Sequence, residues 1–305
     1  MNRPLGYACL ALSMSLVGSY VALSKPLTAV LPVFLLAWMR FGIGGAAVLH
    51  WLKKPADEPP MSRQMQRLLF VESFVGNFLF TIFMLYGVSK TTAVSAGVIM
   101  SAIPAVVALM SWFFLRERIT VRIWAAVLCA MLGIAMLAWS HNLAAAPVGN
   151  AAKALDQQTW IGNVLVFFAV LCEAAYVVIG KRLTGTLGPK RITSLINLWG
   201  FVLMTPMGLY WALHFNFSAV QMGSWLLLLF YSLAASVWTV WLWMTGLKRI
   251  PANQAGIFAV MLPISATTVG VSALGESLSG AQLIAFTIAL IGVTLATFPD
   301  RKIAM

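Results

Sequence analysis

The chain has 305 residues, 61% of them hydrophobic and only 9% charged, whereas a water-soluble surface carries about a quarter charged residues. This excludes a soluble enzyme or binding domain and predicts an all-α integral membrane protein. The formal charge of +12 does not point to nucleic acid, because the basic residues stand at the ends of apolar runs and not on an amphipathic or aromatic-interleaved face.

With ~20 apolar residues per crossing, ten transmembrane helices are expected, at about 5–24, 31–52, 68–88, 93–115, 121–140, 160–180, 192–213, 222–246, 252–274 and 281–299. The first, preceded by Arg3, has the look of a signal peptide. It is expected to be retained, because Gly6, Tyr20, Val21, Lys25 and Leu27 recur 156 residues later as Gly162, Tyr176, Val177, Lys181 and Leu183. A second correspondence runs from Gly87 through Pro104 and Glu117 to Gly133, which is written again 159 residues on as Gly246, Pro263, Glu276 and Gly292. Leucine and alanine coincidences count for little in so apolar a chain. Proline, glutamate and several glycines agreeing in one frame do count, and they predict a duplicated five-helix unit.

Lysine and arginine set the orientation. Sixteen of them fall on the side of the termini and three, Lys25, Lys90 and Lys153, on the other, so both termini are expected in the cytosol. Five crossings is an odd number, so the second unit enters from the opposite face and the two repeats are inverted. The expected layout is residues 1–140 as the first repeat, 141–159 as an extracytoplasmic linker and 160–305 as the second repeat. Cys9, Cys129 and Cys172 lie in apolar runs and the histidines are only His50, His141 and His214, a distribution without metal-ligand or disulfide spacing. Neither cofactor nor metal is expected.

Several residues stand out on these spans. Pro104 and Pro263 lie about eleven residues into theirs, near mid-membrane, and free the carbonyls of Met100 and Ala259; they read as a bend for packing or as a hinge that exposes backbone to a cavity. Ser73, Asn77, Phe80 and Met84 fall on one face of the third span and match Ser232, Ser236, Thr239 and Trp243 on the eighth. That polar and aromatic stripe suits an amphipathic solute or interhelical hydrogen bonding. Tyr20 and Tyr176 are a matched pair whose hydroxyls need partners in the membrane. Glu117 and Glu276 precede Thr120 and Ser279, which cap the fifth and tenth spans, and a structural role is expected of both. Glu72 is expected to reach back to the interface or to pair with Arg67. Arg40 and Glu173 differ from all of these, because each is an ionisable group well inside a span and needs protein or a wet cavity around it. They are expected to lie ~6 Å apart in depth, a gap that two long side chains can cross, as a structural ion pair or as the two charges of a binding site.

The run Gly18-Ser19 with Lys25, Pro32 and Arg40, then Pro104, then Leu115-Arg116-Glu117-Arg118-Ile119 leading to Gly133, resembles the drug/metabolite transporter superfamily, EamA branch. Lys181, Pro263, Leu274-Gly275-Glu276-Ser277-Leu278 and Gly292 repeat the signature. Ala126 and Ala285 stand where that branch often has glycine, and Val17 where a tryptophan is common. The resemblance implies a ten-helix exporter or facilitator of small metabolites, with spans 1–4 and 6–9 around a central cavity and spans 5 and 10 as outer support. The function expected is inner-membrane transport, most plausibly export of amino acids or related amphipathic solutes, with a nucleoside or sugar derivative as the alternative. Arg40 would attract a substrate carboxylate and Glu173 the ammonium or a coupling proton. A membrane-embedded enzyme is disfavoured, since no Gly-x-Ser-x-Gly occurs and the histidines lie at span ends or in a loop. Expected partners are a small-molecule substrate and membrane lipid, with a homodimer compatible.

Overall fold

The computed structural model describes residues 3–54, 58, 60–115, 121, 124–125, 127–129, 131–133, 136, 149–184, 186–249, 258 and 261–297. All regular structure among them is helical. Helix α1 spans Arg3–Val30 and α2 spans Val33–Ala47. Next come α3 (Arg63–Lys90), α4 (Ala93–Met100) and α5 (Ile103–Leu115). The second half holds α6 (Gly149–Leu183), α7 (Pro189–His214), α8 (Met222–Gly246), α9 (Met261–Leu274) and α10 (Gly280–Thr297). Among the described residues five segments, Pro4–Val30, Arg63–Lys90, Gln157–Gly180, Pro189–His214 and Met222–Gly246, are long and apolar enough to cross a membrane. The stretches Val33–Ala47, Ala93–Val107, Met261–Leu274 and Gly280–Gly292 are apolar but shorter. Most of 121–140 and the start of the 252–274 span lie outside the described residues, as do Glu117, Thr120, Ala126 and Ala259.

Local chemistry sets the helix ends. Ser62 caps α3 by accepting from the Met65 amide at 3.2 Å, and Thr92 caps α4 by accepting from the Ser95 amide at 3.0 Å. Pro189 opens α7, where a missing N–H costs no helical bond. Ser279 and Gln282 form a reciprocal box at the start of α10, each side chain accepting the other's amide.

Three boundaries depart from the sequence reading. First, α1 continues through Pro26 to Val30, so Lys25 lies inside the helix; the Leu31 amide still bonds the Leu27 carbonyl at 2.8 Å. Second, residues 149–159, expected as linker, are the first three turns of a 35-residue α6, while 141–148 lie outside the described residues. Third, the fourth span is interrupted at Ser101 and Ala102, in the turn ahead of Pro104, which is the second residue of α5. Pro104 has no N–H to give the Met100 carbonyl, so the interruption falls in the turn where a proline bend is expected.

Helices α3 and α8 each carry a π-wound segment, Glu72–Leu79 and Ala234–Trp238. Shifted by 159 residues, the first segment contains the second. Close approaches repeat in the same way. A Cβ on Gly87 would lie 2.7 Å from Val166 Cγ2 and 3.1 Å from the Gly162 carbonyl, and one on Gly246 would lie 2.6 Å from Leu10 Cγ and 3.2 Å from the Gly6 carbonyl. Thus α3 packs on α6 as α8 packs on α1. Helix α1 also packs on α9, α6 on α4 and α5, and α2 on α7.

Candidate functional site

At the centre of the bundle a cavity of about 50 Å³ is bounded by side chains from α1, α2, α3, α6, α7 and α8. Arg40 and Glu173 both line it, and so do Tyr20, Tyr176, Asn77, Thr239 and Trp243. Ser236 stands beside it as an Arg40 partner. Met100, Pro104 and Pro263 are not among the lining residues; Met100 and Pro263 are buried and Pro104 is half-buried. Among the described residues α4, α5 and α9 contribute no lining side chain, because they pack behind α6 and α1.

Arg40 is 3% exposed and spends its guanidinium on three neutral acceptors. Nε donates to Ser236 Oγ at 3.2 Å, Nη1 to Thr81 Oγ1 at 2.7 Å and Nη2 to Asn77 Oδ1 at 3.2 Å. Thr81 Oγ1 in turn donates to the Asn77 carbonyl at 2.6 Å. Asn197 braces the other side by donating to the Ser236 carbonyl at 2.8 Å. The guanidinium also lies 4.6 Å from the Phe41 ring centre and 5.9 Å from that of Tyr231. None of these partners carries a negative charge, and among the described residues Arg40 and Glu173 form no ion pair. A buried cation held only by dipoles keeps its attraction for an anion. Three of the five guanidinium N–H groups are used in these bonds, and the Tyr231 side chain lies beside the guanidinium as well.

Glu173 and Tyr176 stand one turn apart on α6, on the face that meets α3. Tyr176 packs on Gly76, where a Cβ would lie 2.6 Å from that of the tyrosine. The Tyr176 hydroxyl is buried with no hydrogen-bond partner, and the Thr239 hydroxyl is in the same state although the Thr239 carbonyl accepts from Ser13 Oγ at 2.9 Å. Two orphaned hydroxyls in one cavity wall are unusual in a finished core, where buried polar atoms nearly always find partners. Tyr20 packs edge-on against Tyr231, with ring centres 5.8 Å apart. Phe80 and Trp243 add apolar wall.

Sequence reasoning missed Ser13, Thr81 and Tyr231. Ser13, Val17 and Tyr20 are spaced by four and three on α1, the same one-face signal that singled out the α3 stripe. Thr81 follows Asn77 by one turn. Tyr231 had no such signal.

One carboxylate sits otherwise than the sequence suggested. Glu72 neither reaches the interface nor pairs with Arg67; it is 0% exposed, because Gly180 on α6 leaves the space that its carboxyl fills, with Oε1 2.9 Å from where a glycine Cβ would stand. Ser279 caps α10 together with Gln282, as its place in the sequence led us to expect, and Glu276 itself does not bond that helix end. It accepts instead from the Ala93 and Val94 amides at the start of α4, at 2.9 and 3.1 Å, and from Lys25 at 2.9 Å.

The sequence pattern of the EamA-like transporter family matches residues 4–139 and again 160–298. The uncharacterized transporter YetK of Bacillus subtilis (strain 168) is 30% identical over 297 residues, covering 97% of this chain and 88% of the relative. The uncharacterized transporter YyaM of the same organism is 23% identical over 262 residues, covering 86% of this chain and 83% of the relative. A protein of known crystal structure aligns over 94% of this chain and 95% of its own with a TM-score of 0.62, and at 21% identity that likeness speaks for the fold alone. Two matches to one family pattern, a relative similar over nearly the whole length and a bundle of apolar, membrane-length helices agree: the chain is a multi-pass membrane protein and belongs to the EamA-like transporter family.

Proposed function

We propose that this transporter is an inner-membrane exporter of amino acids or related amphipathic solutes that works by alternating access and makes or breaks no covalent bond. The observation that carries the reading is that Arg40 and Glu173 line one cavity without pairing with each other. A zwitterion would satisfy both, its carboxylate on the Arg40 guanidinium and its ammonium on Glu173. The orphaned Tyr176 and Thr239 hydroxyls would complete the polar contacts, and Tyr20, Phe80 and Trp243 would take the side chain. About 50 Å³ is room for a few waters and well short of the roughly 300–1,000 Å³ of small-molecule pockets. Solute therefore enters only when the helices part.

The reading includes ten crossings in two inverted repeats, residues 1–140 and 160–305, with both termini cytosolic. The reciprocal Gly87 and Gly246 contacts and the matched π-wound segments support it. Cysteines placed at Gly149 and Ser277 should react with an impermeant thiol reagent in intact cells. Reaction at Arg118→Cys instead would overturn the inverted arrangement.

The solute class is tested by untargeted comparison of culture medium from deletion and overexpression cells, followed by efflux from proteoliposomes loaded with a labelled amino-acid mixture. Export of one amino-acid class that rises with the protein is the expected result. A change confined to nucleosides or sugar derivatives would reject the zwitterion reading.

A further inference from the structure

Glu72 is a carboxyl in the membrane-buried part of the bundle that the cavity does not use. It opens the π-wound segment of α3 that also carries Gly76 and Asn77, so its backbone belongs to the wall of the cavity. Such windings recur at functional sites because they break the regular helical ladder. Along the contact of α3 with α6 the rungs run antiparallel: Glu72 faces Gly180, Gly76 faces Tyr176, and Glu173 lies one further turn towards the cavity. Glu72 is thus set back from Glu173 by about 10 Å along α6, with Tyr176 between them.

Both Glu72 carboxyl oxygens are buried with no hydrogen-bond partner. Among the described side chains, which do not include that of Lys181 beside Gly180, neighbouring elements offer nothing to neutralise a charge. From α6 the facing groups are Tyr176 and, beyond it, Glu173. From α7, Arg191 is engaged by Glu58 at 3.1 Å, and on α3 itself Arg67 is exposed. Arg40 from α2 is held at the far end of the segment by Asn77 and Thr81, and Arg249 beyond α8 donates to the Thr245 carbonyl. Near the Gly180 contact the other neighbour is the Met244 methyl group. An ionised carboxylate without donor or counter-ion is not tolerated in such a place, whereas a neutral acid is.

We propose that Glu72 is a proton-binding site: it holds a proton while it is packed against Gly180 and releases it to water when α3 and α6 part, so that solute movement is coupled to protons. In that step the Glu72 O–H bond breaks, the electron pair stays on the carboxylate and water entering from the opened side takes the proton. Tyr176, with its free hydroxyl, is the gate between this site and the cavity. The proposal rests on the transport reading above but on a different residue.

The experiment has two arms. In the first, infrared spectra of the purified protein in lipid at neutral pH are compared with those of Glu72→Gln and Glu173→Gln. A neutral-carboxyl C=O band that shifts in heavy water and vanishes only in Glu72→Gln is expected; its absence from the unmodified protein would overturn the proposal. In the second, proteoliposomes loaded with a labelled amino-acid mixture are given an inward proton gradient or an equal sodium gradient. Severalfold stimulation by protons alone, lost in Glu72→Gln while solute exchange without a gradient survives, supports the coupling. Stimulation that persists in Glu72→Gln refutes it. If the unmodified protein moves none of the mixture, the amino-acid reading fails and the infrared band alone decides the proton site.

Discussion

Lys25 Nζ on α1 donates to Glu276 Oε1 at 2.9 Å, joining the first helix to the turn between α9 and α10. Gly275, at φ 67°, reverses the chain there and lets the Glu276 amide bond the Gly270 carbonyl at 3.0 Å. The carboxylate also receives two amides from the start of α4, so one side chain ties three parts of the bundle together.

The pH dependence of that tie follows from its charge. Burial pushes the Glu276 carboxyl up, but hydrogen bonds from Lys25 and from the Ala93 and Val94 amides outweigh it and hold the group below its ordinary value. A carboxyl lowered on folding stabilises fully above its unfolded value of ~4.3 and loses that stabilisation as pH falls through the lower folded value. Thermal unfolding in detergent should therefore show the unmodified protein losing stability below about pH 4, with Glu276→Gln flatter over the same range. Near neutral pH Glu276→Ala should cost about 1–3 kcal/mol, since it strands two amides. Superimposable curves for the unmodified protein and Glu276→Gln would show that the charge contributes nothing.

The glycine contacts predict paired effects. Gly87→Ala and Gly246→Ala each push a methyl into the same kind of helix crossing and should each lose about 1–3 kcal/mol of stability. Gly45→Ala, with nothing within 4 Å of its new methyl, serves as the control and should be neutral or gain up to about 1 kcal/mol from helix propensity. Unequal losses, with one glycine tolerant, would argue against equivalent packing in the two halves.

Much of the site was legible because polar residues are costly in an apolar chain and therefore conspicuous. Arg40, Glu173, Asn77 and Ser236 could be picked out by composition and spacing, and the structure gathers Asn77 and Ser236 onto Arg40. The partner of a long-range contact was not legible. Nothing in the order of residues says that Glu276 reaches the start of α4, because that contact depends on the Gly275 turn and on how α9 lies against α1. Glu72 was misread for a related reason: the space that admits it belongs to Gly180, more than a hundred residues away.

Arg40 and Glu173 can be mutated singly with clear interpretation, since neither is the other's ion-pair partner. Glu173→Gln should stay abundant in the membrane and lose solute movement. Arg40→Gln should also stay abundant, because a carboxamide retains donors for Asn77 or Thr81, while apparent affinity for the solute falls most in this variant. Arg40→Lys keeps the charge but not the three-way fork, and should recover only part of the affinity. Quantitative immunoblots with transport assays on these variants and on Arg40→Gln/Glu173→Gln check the set. Transport by the double variant at the unmodified rate would make both charges incidental.

The orphaned hydroxyls separate binding from folding most cleanly. A buried hydroxyl with a protein partner costs stability when removed, but Tyr176 and Thr239 have no such partner here. Tyr176→Phe and Thr239→Val should therefore leave thermal stability unchanged or raise it, since each removes an unsatisfied polar atom without changing shape. If the hydroxyls bond solute, each change should weaken its apparent affinity by about tenfold, the equivalent of one ordinary hydrogen bond at ~1.4 kcal/mol. Ser73→Ala is the comparison, because Ser73 Oγ already donates to the Leu69 carbonyl at 2.7 Å and lies outside the cavity wall. It should shift stability slightly and leave affinity alone. Loss of stability without loss of affinity in Tyr176→Phe and Thr239→Val would mean that the two hydroxyls are bonded within the protein and that the cavity recognises solute by other groups.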